Sequence, residues 1–458
     1  MLHLCNAKAL FFALVVATYT GLWFNSCNFP KWRLSRETGD LVQTLENLEM
    51  KKTLVALAAL AATASFAQSF VTLSGRASMD VSTFEATGST ANTATANYDF
   101  ARRVRVADTS SRITFAAQED LGAGSKAGVY CETGINIDTA NANGQAATAN
   151  ANTSEWCSRE GRLYYGNNLA EIRLGRQNVW WTQGALNQVG SRHMGSDSFT
   201  NLQNGGVGVY GVRLENMVMV NFNGDAGAFA GSQVYAGRMA NANGEASVAT
   251  ASAATPITNA QYGGYKLVYT SGQIVGMIDY QSSHNTAAAT GVSSFDRSAY
   301  KYGLGYKYAG AANSSIVSFQ MWDKKRTDLT APTTANVTLA GGTTGVATTN
   351  SGSGKDSGYG FSVEHDLGAN RMLVAQYGKA NSLKNTAGTE QTDTGATAYT
   401  IGFRQALSKR THVYTAFHTI KNDKNINYNM SGGNYTSAAN VANGAEIKMY
   451  ALGMQHDF

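Results

Sequence analysis

The sequence predicts an all-β chain: a sixteen-stranded antiparallel transmembrane β-barrel with long extracellular loops and short periplasmic turns. Three observations predict it: period-two alternation of apolar and polar side chains in segment after segment, connections that take turns at being short and long, and an export signal ahead of them. Side chains on a strand point alternately to opposite faces, so the alternation gives each segment one apolar face. The 458 residues include 48 glycines, 22 tyrosines, 18 phenylalanines and only three prolines, with 15% charge. That aromatic content and low charge exclude a disordered chain. The mean hydropathy is slightly negative, which argues against a bundle of membrane helices.

The elements run in this order. Residues 1–49 form an N-terminal extension containing "ALFFALVVATYTGLWF", an apolar run of about 16 residues at the short edge for spanning a bilayer. A misassigned start accounts for it; a true upstream membrane anchor is the alternative. Residues 50–67, "MKKTLVALAALAATASFA", read as a signal peptide. Lys51 and Lys52 supply the basic start, 54–62 the apolar run, and Ser65-Phe66-Ala67 the small-x-small cleavage site. The exported chain is then 68–458, beginning at Gln68. Six of the 36 basic and four of the 31 acidic residues precede Gln68, leaving 30 and 27 and a net charge of +3. So weak an excess does not imply a nucleic-acid partner, and none is expected.

After Gln68 come alternating segments of about 8 to 14 residues. In "VTLSGRASMDVS", Val71, Leu73, Ala77, Met79 and Val81 share one face, and Thr72, Ser74, Arg76, Ser78 and Asp80 the other. In "RITFAA", Ile113 and Phe115 oppose Arg112 and Thr114; in "KAGVYCETGINI", Val129, Cys131, Ile135 and Ile137 oppose Tyr130, Glu132 and Asn136. Seven short connections are expected at 119–125, 167–170, 215–216, 270–273, 309–314, 366–370 and 406–410. Eight long ones, rich in Ala, Thr, Asn and Gly, are expected at 85–110, 138–158, 178–205, 240–259, 281–297, 326–355, 381–395 and 422–444. Seven and eight connections join sixteen strands, with both chain ends on the short-turn side. The segment "AFAGSQVYAGRM" reads either as an extension of the seventh strand or as the start of a loop. A soluble sandwich also alternates, but the number of long strands, the asymmetry of the loops and the export signal favour a membrane barrel. Tyr, Phe and Trp near strand ends suit the two interfaces.

The chain finishes "EIKMYALGMQHDF", with Lys448, Tyr450, Leu452, Met454, His456 and Phe458 on one face. A bilayer leaves no backbone group unpaired, so a spanning sheet must close on itself. The strand ending at Phe458 is therefore expected to pair with the one beginning near Phe70.

Several stretches, "SSRITFAAQEDLGAGSKAGVYCETGINIDT", "EIRLGRQ", "ALSKRTHVYTAF" and "GMQHDF", resemble the Gram-negative general porins, particularly the β-proteobacterial trimeric group. They spread over nearly all of 68–458. The resemblance implies a trimer in the outer membrane, a third loop folded into the lumen, and a terminal Phe458 strand read by the barrel-assembly machinery. It implies passive passage of small hydrophilic solutes and ions, with no catalysis and no cofactor. Parity turns Arg76, Arg112 and Arg173 inward, and the resemblance adds Arg159 and Arg176 to a basic constriction wall. Parity with Ile172 and Leu174 puts Arg176 on the lipid face unless Gly175 carries a bulge. The constriction loop, 178–205, has one acidic residue, Asp197, beside Arg192 and His193. With so little carboxylate on the loop, the constriction is expected to be net basic and mildly anion-preferring.

Cys131 and Cys157 flank the second long loop on one outward face; a cross-strand disulfide and two free thiols both remain open. Cys5 and Cys27 fall in the extension. "GVGVYG" at 206–211 fits a dinucleotide fingerprint only as coincidence, because no helix follows it. Histidines lack metal spacing and no nucleophile motif occurs. The alternatives are a substrate-selective channel, which Trp180 and Trp181 leave open, an outer-membrane barrel enzyme, and an adhesive barrel.

Overall fold

The structure is a computed structural model that describes residues 70–90, 92, 99–135, 137–138, 156–179, 194, 202–203, 213–238, 258–287, 295–309, 315–328, 353–430 and 441–458. Its strands are β1 (Phe70–Thr87), β2 (Phe100–Asp108), β3 (Arg112–Gly122), β4 (Ser125–Gly134), β5 (Glu160–Gly166) and β6 (Ala170–Asn178). There follow β7 (Arg213–Phe222), β8 (Gln233–Arg238), β9 (Thr258–Ser271), β10 (Ile274–Ala287), β11 (Phe295–Ala309) and β12 (Ser315–Asp328). The last five are β13 (Gly354–Gly368), β14 (Arg371–Ala380), β15 (Ala396–Ala406), β16 (Thr411–Asn422) and β17 (Glu446–Asp457).

All belong to one antiparallel sheet in which consecutive strands pair, except that β2 and β3 both pair with β1 and not with each other. β2 and β3 are two halves of one wall strand. Both pair with β1, Met79–Ala86 facing β2 and Phe70–Arg76 facing β3. Between them Thr109, Ser110 and Ser111 stand opposite two residues of β1, a bulge of one residue. Asp108 Oδ1 accepts the amides of Ser110 and Ser111 at 2.8 and 2.9 Å, and Ser111 Oγ accepts the amide of Ser78 at 2.9 Å. Those bonds satisfy groups that the break in the ladder would leave unpaired. The wall therefore has sixteen strands.

Closure is between β1 and β17, in register from Arg76↔Asp457 to Thr87↔Glu446. Gly75 and Phe458 extend it with reciprocal backbone bonds of 2.9 and 3.0 Å. The chain end is thus a paired strand, as the alternation in "EIKMYALGMQHDF" predicts.

The short turns lie at one end of the barrel and the long connections at the other. The sequence "DLGA" occurs twice, at 120–123 and 366–369, and makes the same turn both times. The aspartate accepts the amide of the glycine two residues on, at 2.8 Å in each, while Gly and Ala both take positive φ (81° and 51°, 75° and 50°). Gly takes that left-handed backbone without cost, and the aspartate holds the turn in place.

Several expected boundaries change. The turn expected at 215–216 is not a turn: β7 runs straight through it. Glu215 and Asn216 form a bulge opposite Arg176, with Asn216 at φ 48°, and a polar pair with a left-handed Asn carries the same local signature in a bulge as in a hairpin. The third short connection is 223–232, where a 3-10 turn over Gly224–Phe229 precedes β8, so "AFAGSQVYAGRM" begins in the turn and ends in a strand. The long connection expected at 85–110 shrinks to 88–99, because β1 extends to Thr87 and β2 begins at Phe100.

Outward faces are apolar and exposed: Leu73 and Val104 are each 70% accessible. Such a belt is stable only in contact with lipid. Two sectors of the inward faces contrast. From β1 to β6 they are polar and charged. On β14–β17 they are small and apolar, with Ala398, Ala416, Ala451, Ile420 and Met449 buried together with Met194 and Leu202 of the third long connection. A Cβ on Gly402 would lie 2.5 Å from Met194 Sδ, so the absent side chain makes the seat for that methionine.

Candidate functional site: the charged inner wall

Cross-strand register brings a lattice of charged side chains together on the inner face of β1–β6. Arg76 stands opposite Arg112, Thr114 opposite Glu132, Glu132 opposite Glu160, and Tyr130 opposite Arg162. Arg162 is next to Gly175, and Tyr164 to Arg173. Paired residues project to the same side, so these groups share one wall.

Each arginine is held by a carboxylate. Arg76 Nε is 2.8 Å from Asp457 Oδ1 of the closing strand. Glu132 takes two partners: Arg112 Nε at 3.3 Å and Arg159 Nε at 2.6 Å. Arg159 lies just before β5, where its amide also donates to Glu132 O at 2.9 Å. Arg162 reaches Glu160 at 2.6 Å, and its guanidinium carbon lies 4.0 Å from the centre of the Tyr130 ring. Arg173 Nε donates to Glu171 Oε1 at 2.6 Å, with Lys126 Nζ 3.7 Å from the same carboxylate group. Bidentate and stacked guanidiniums are fixed in orientation rather than free to collapse, which keeps their charge aimed at the lumen. Six cations (Arg76, Arg112, Arg159, Arg162, Arg173 and Lys126) meet four carboxylates (Glu132, Glu160, Glu171 and Asp457), so the patch is net positive by two.

The structure thus brings Arg76, Arg112, Arg159 and Arg173 into one patch, and adds Arg162, Lys126, the three glutamates and Asp457. Three of the missed members were legible: Glu160 and Arg162 alternate on the polar face of "EGRLYYG", and Glu171 stands two residues before Arg173 on that of "AEIRLGRQN". Among the described residues the carboxylates come from the wall. Higher on β2, Arg103 and Arg105 also face inward, opposite Phe84 and Ser82.

Arg176 is a correction. Gly175 has φ 127° and the register shifts beside it, but Gly175 and Gln177 both stay inward, the latter buried against Leu214. The extra residue of the bulge is taken up on β7. Arg176 stays on the side of Gly161, donating to Ser158 O at 2.9 Å and pairing with Glu215. It is a rim ion pair outside the constriction wall.

The sequence pattern of the Gram-negative porin family matches residues 53–425. The chain belongs to that family. Among solved structures it is similar to an anion-selective porin from Comamonas acidovorans, at 20% identity and a TM-score of 0.59 over 85% of this chain and 100% of that one. It is also similar to Salmonella typhi OmpF in complex with daunomycin, at 14% identity and TM-score 0.53, covering 85% and 97% of the two chains. A trimer form of in-vitro folded OmpT, an outer membrane protein of Vibrio cholerae, matches at 9% identity and TM-score 0.50, covering 85% and 99%. At these identities the likeness is one of fold. No curated protein matches the chain. The porin is an outer-membrane diffusion channel, and its lumen is the path.

Four described residues of the third connection of this porin touch the inner wall. Val179 O accepts from Lys266 Nζ (2.6 Å), Met194 O bonds His418 Nε2 (2.9 Å), and Gln203 O accepts from Lys324 Nζ (2.7 Å). Leu202 is fully buried beside Gln203. Lys324 is itself buried and paired with Asp356 at 2.9 Å. These anchors, on β9, β16 and β12, tie the connection to the wall at widely separated strands. Arg192, His193 and Asp197, with Trp180 and Trp181, lie outside the described residues. Cys131 and Cys157 are joined, with Cα atoms 4.6 Å apart, and Cys157 N–H donates to Thr133 Oγ1 at 2.9 Å. Their bond fastens the second long connection to β4 near Arg159.

Proposed function

We propose that the porin passes small hydrophilic solutes and ions passively with a mild anion preference, and that it works as a homotrimer. The observation that carries the preference is the inner-wall patch, where six cations outnumber four carboxylates. A fixed positive field concentrates anions and depletes cations along the path. The name of the Comamonas relative, an anion-selective porin, agrees with this reading, and the trimer form of the Vibrio protein agrees with the assembly. Phe458, paired with Gly75 at the closing seam, is the signal that the barrel-assembly machinery engages. The reversal potential of the purified porin in a planar bilayer under a KCl gradient tests the preference. A potential displaced toward the chloride equilibrium value supports it; displacement toward potassium overturns it.

A further inference from the structure

Arg159 reaches the lumen against the alternation of its own strand. Glu160 and Arg162 of β5 face inward, whereas Gly161 faces outward beside Cys131 and Arg176. A regular extension of β5 would therefore turn Arg159 outward, opposite Thr133. Its Nε instead lies 2.6 Å from Glu132 Oε1 on the inner wall, and a Cβ on Gly134 would lie 3.3 Å from its Cδ. The ladder explains the reversal. Glu132 pairs with Glu160, and its carbonyl also accepts the amide of Arg159 at 2.9 Å, so two residues of one strand oppose a single residue of the other. Such a bulge re-aims a side chain.

Three contacts hold the bulge. Cys157 takes a left-handed backbone, φ 62°, which a residue with a side chain keeps only when its surroundings impose it. Its sulfur is bonded to Cys131, directly before Glu132, and its amide donates at 2.9 Å to Oγ1 of Thr133, directly after. Ser158 O accepts from Arg176 Nε at 2.9 Å, and Arg176 pairs in turn with Glu215, which gives that rim ion pair a part in the wall it does not itself join. Gly161 makes room, since a Cβ there would come within 2.8 Å of Cys157 Cβ. Of these contacts the disulfide is the covalent one, and it ends two residues from Arg159. With the bond open, Cys157 can return to extended backbone, which restores the alternation and carries Arg159 to the outer face.

We propose that the Cys131–Cys157 bond is a positioning element of the ion filter: it holds the bulge that turns Arg159 into the lumen, and opening it takes Arg159 out of the constriction wall and weakens selection for anions. This role rests on the anion preference proposed above, and the test reads differences from the wild type so that the two can fail separately. The full porin, folded in detergent, is reduced with dithiothreitol and its thiols are capped with iodoacetamide; peptide masses verify the caps on Cys131 and Cys157. Reversal potentials in planar bilayers under a KCl gradient are then compared for the intact porin, the capped porin, C131S/C157S, R159Q and R159Q/C131S/C157S. Loss of one unit charge about 8 Å from the path is worth about twofold in the chloride-to-potassium permeability ratio at 0.1 M salt. R159Q is expected to lower the ratio by that factor, the capped porin and C131S/C157S to lower it by up to as much, and R159Q/C131S/C157S to lie level with R159Q. An unchanged ratio in the capped porin overturns the proposal. So does an unchanged ratio in R159Q, or a fall in R159Q/C131S/C157S below R159Q as large as the fall that opening the bond causes in the wild type, since the bond would then act elsewhere than at Arg159. If the wild type itself prefers potassium, the earlier reading falls and the same differences still decide this one. The capped porin is folded before its bond is opened, so it decides the matter if C131S/C157S gives no channels.

Discussion

Removing one charge from each side of the inner-wall patch moves selectivity in opposite directions. Glu132 holds both Arg112 and Arg159, and Glu132→Gln keeps an amide oxygen that can accept from one of them with one carboxylate fewer, so the patch goes from a net charge of two to three. Arg112→Gln takes it from two to one. At about 8 Å in water one unit charge changes an ion's energy by about 0.5 kcal/mol. Screening at 0.1 M salt, with a Debye length of about 10 Å, cuts this to roughly 0.2 kcal/mol. The shift acts with opposite sign on anions and cations, so the chloride-to-potassium permeability ratio changes about twofold at 0.1 M and up to about fivefold in dilute salt. E132Q raises the ratio and R112Q lowers it, read as reversal potentials in planar bilayers under a KCl gradient. Shifts of the same sign, or none at low salt, would refute the assignment of this patch as the selectivity element.

Four further outcomes are expected. Lys324→Met removes the ammonium paired with the fully buried Asp356, which keeps the Trp322 N–H, and removes the tether to Gln203, at a cost of about 3–5 kcal/mol; thermal unfolding of the barrel measures it, and K324M/D356L recovers most of the loss. Gly75→Val places a Cβ 2.3 Å from the Phe458 ring and breaks closure, seen as loss of the compact unheated band on SDS gels, whereas Gly276→Ala meets only Tyr269 Cβ at 3.9 Å and keeps it. Opening the Cys131–Cys157 bond, which spans 26 residues, releases a constraint of about 3–4 kcal/mol on the unfolded connection, so C131S/C157S is cut faster by protease within 135–159. In the first long connection, burial raises the pKa of Asp99, but the amides of Ser89 and Gly88 and the Asn92 side chain outweigh it and leave the carboxyl below its ordinary value. That stability is present above the ordinary carboxylate value and is lost as pH falls through the lowered one; hydrogen exchange at the Gly88 and Ser89 amides follows it, and Asp99→Asn abolishes the dependence.

The barrel was legible in the sequence because a lipid-facing strand writes itself as strict alternation, and because a closed sheet allows few strand counts. The final strand and the inward placement of Arg76, Arg112 and Arg173 followed from parity alone. Bulges were not legible: Glu215 and Asn216 satisfy a turn signature, and only pairing with β6 shows that the ladder continues. The upper half of the second strand was hidden by Arg102, an outward-facing cation in "FARRV" that breaks the apolar face. It is accommodated at the rim by Glu85 at 3.2 Å and the Tyr450 ring at 5.7 Å. Buried pairs such as Lys324 and Asp356 read locally as solvated lumen, since nothing in their own strands reports that Gln203 covers them.

Single-channel recording of the wild-type protein tests the central claim most directly. A water-filled lumen predicts large, ohmic conductance steps that scale with KCl concentration and need no added ligand. A protein that inserts but gives no steps, or steps that saturate at millimolar salt, contradicts an open diffusion path.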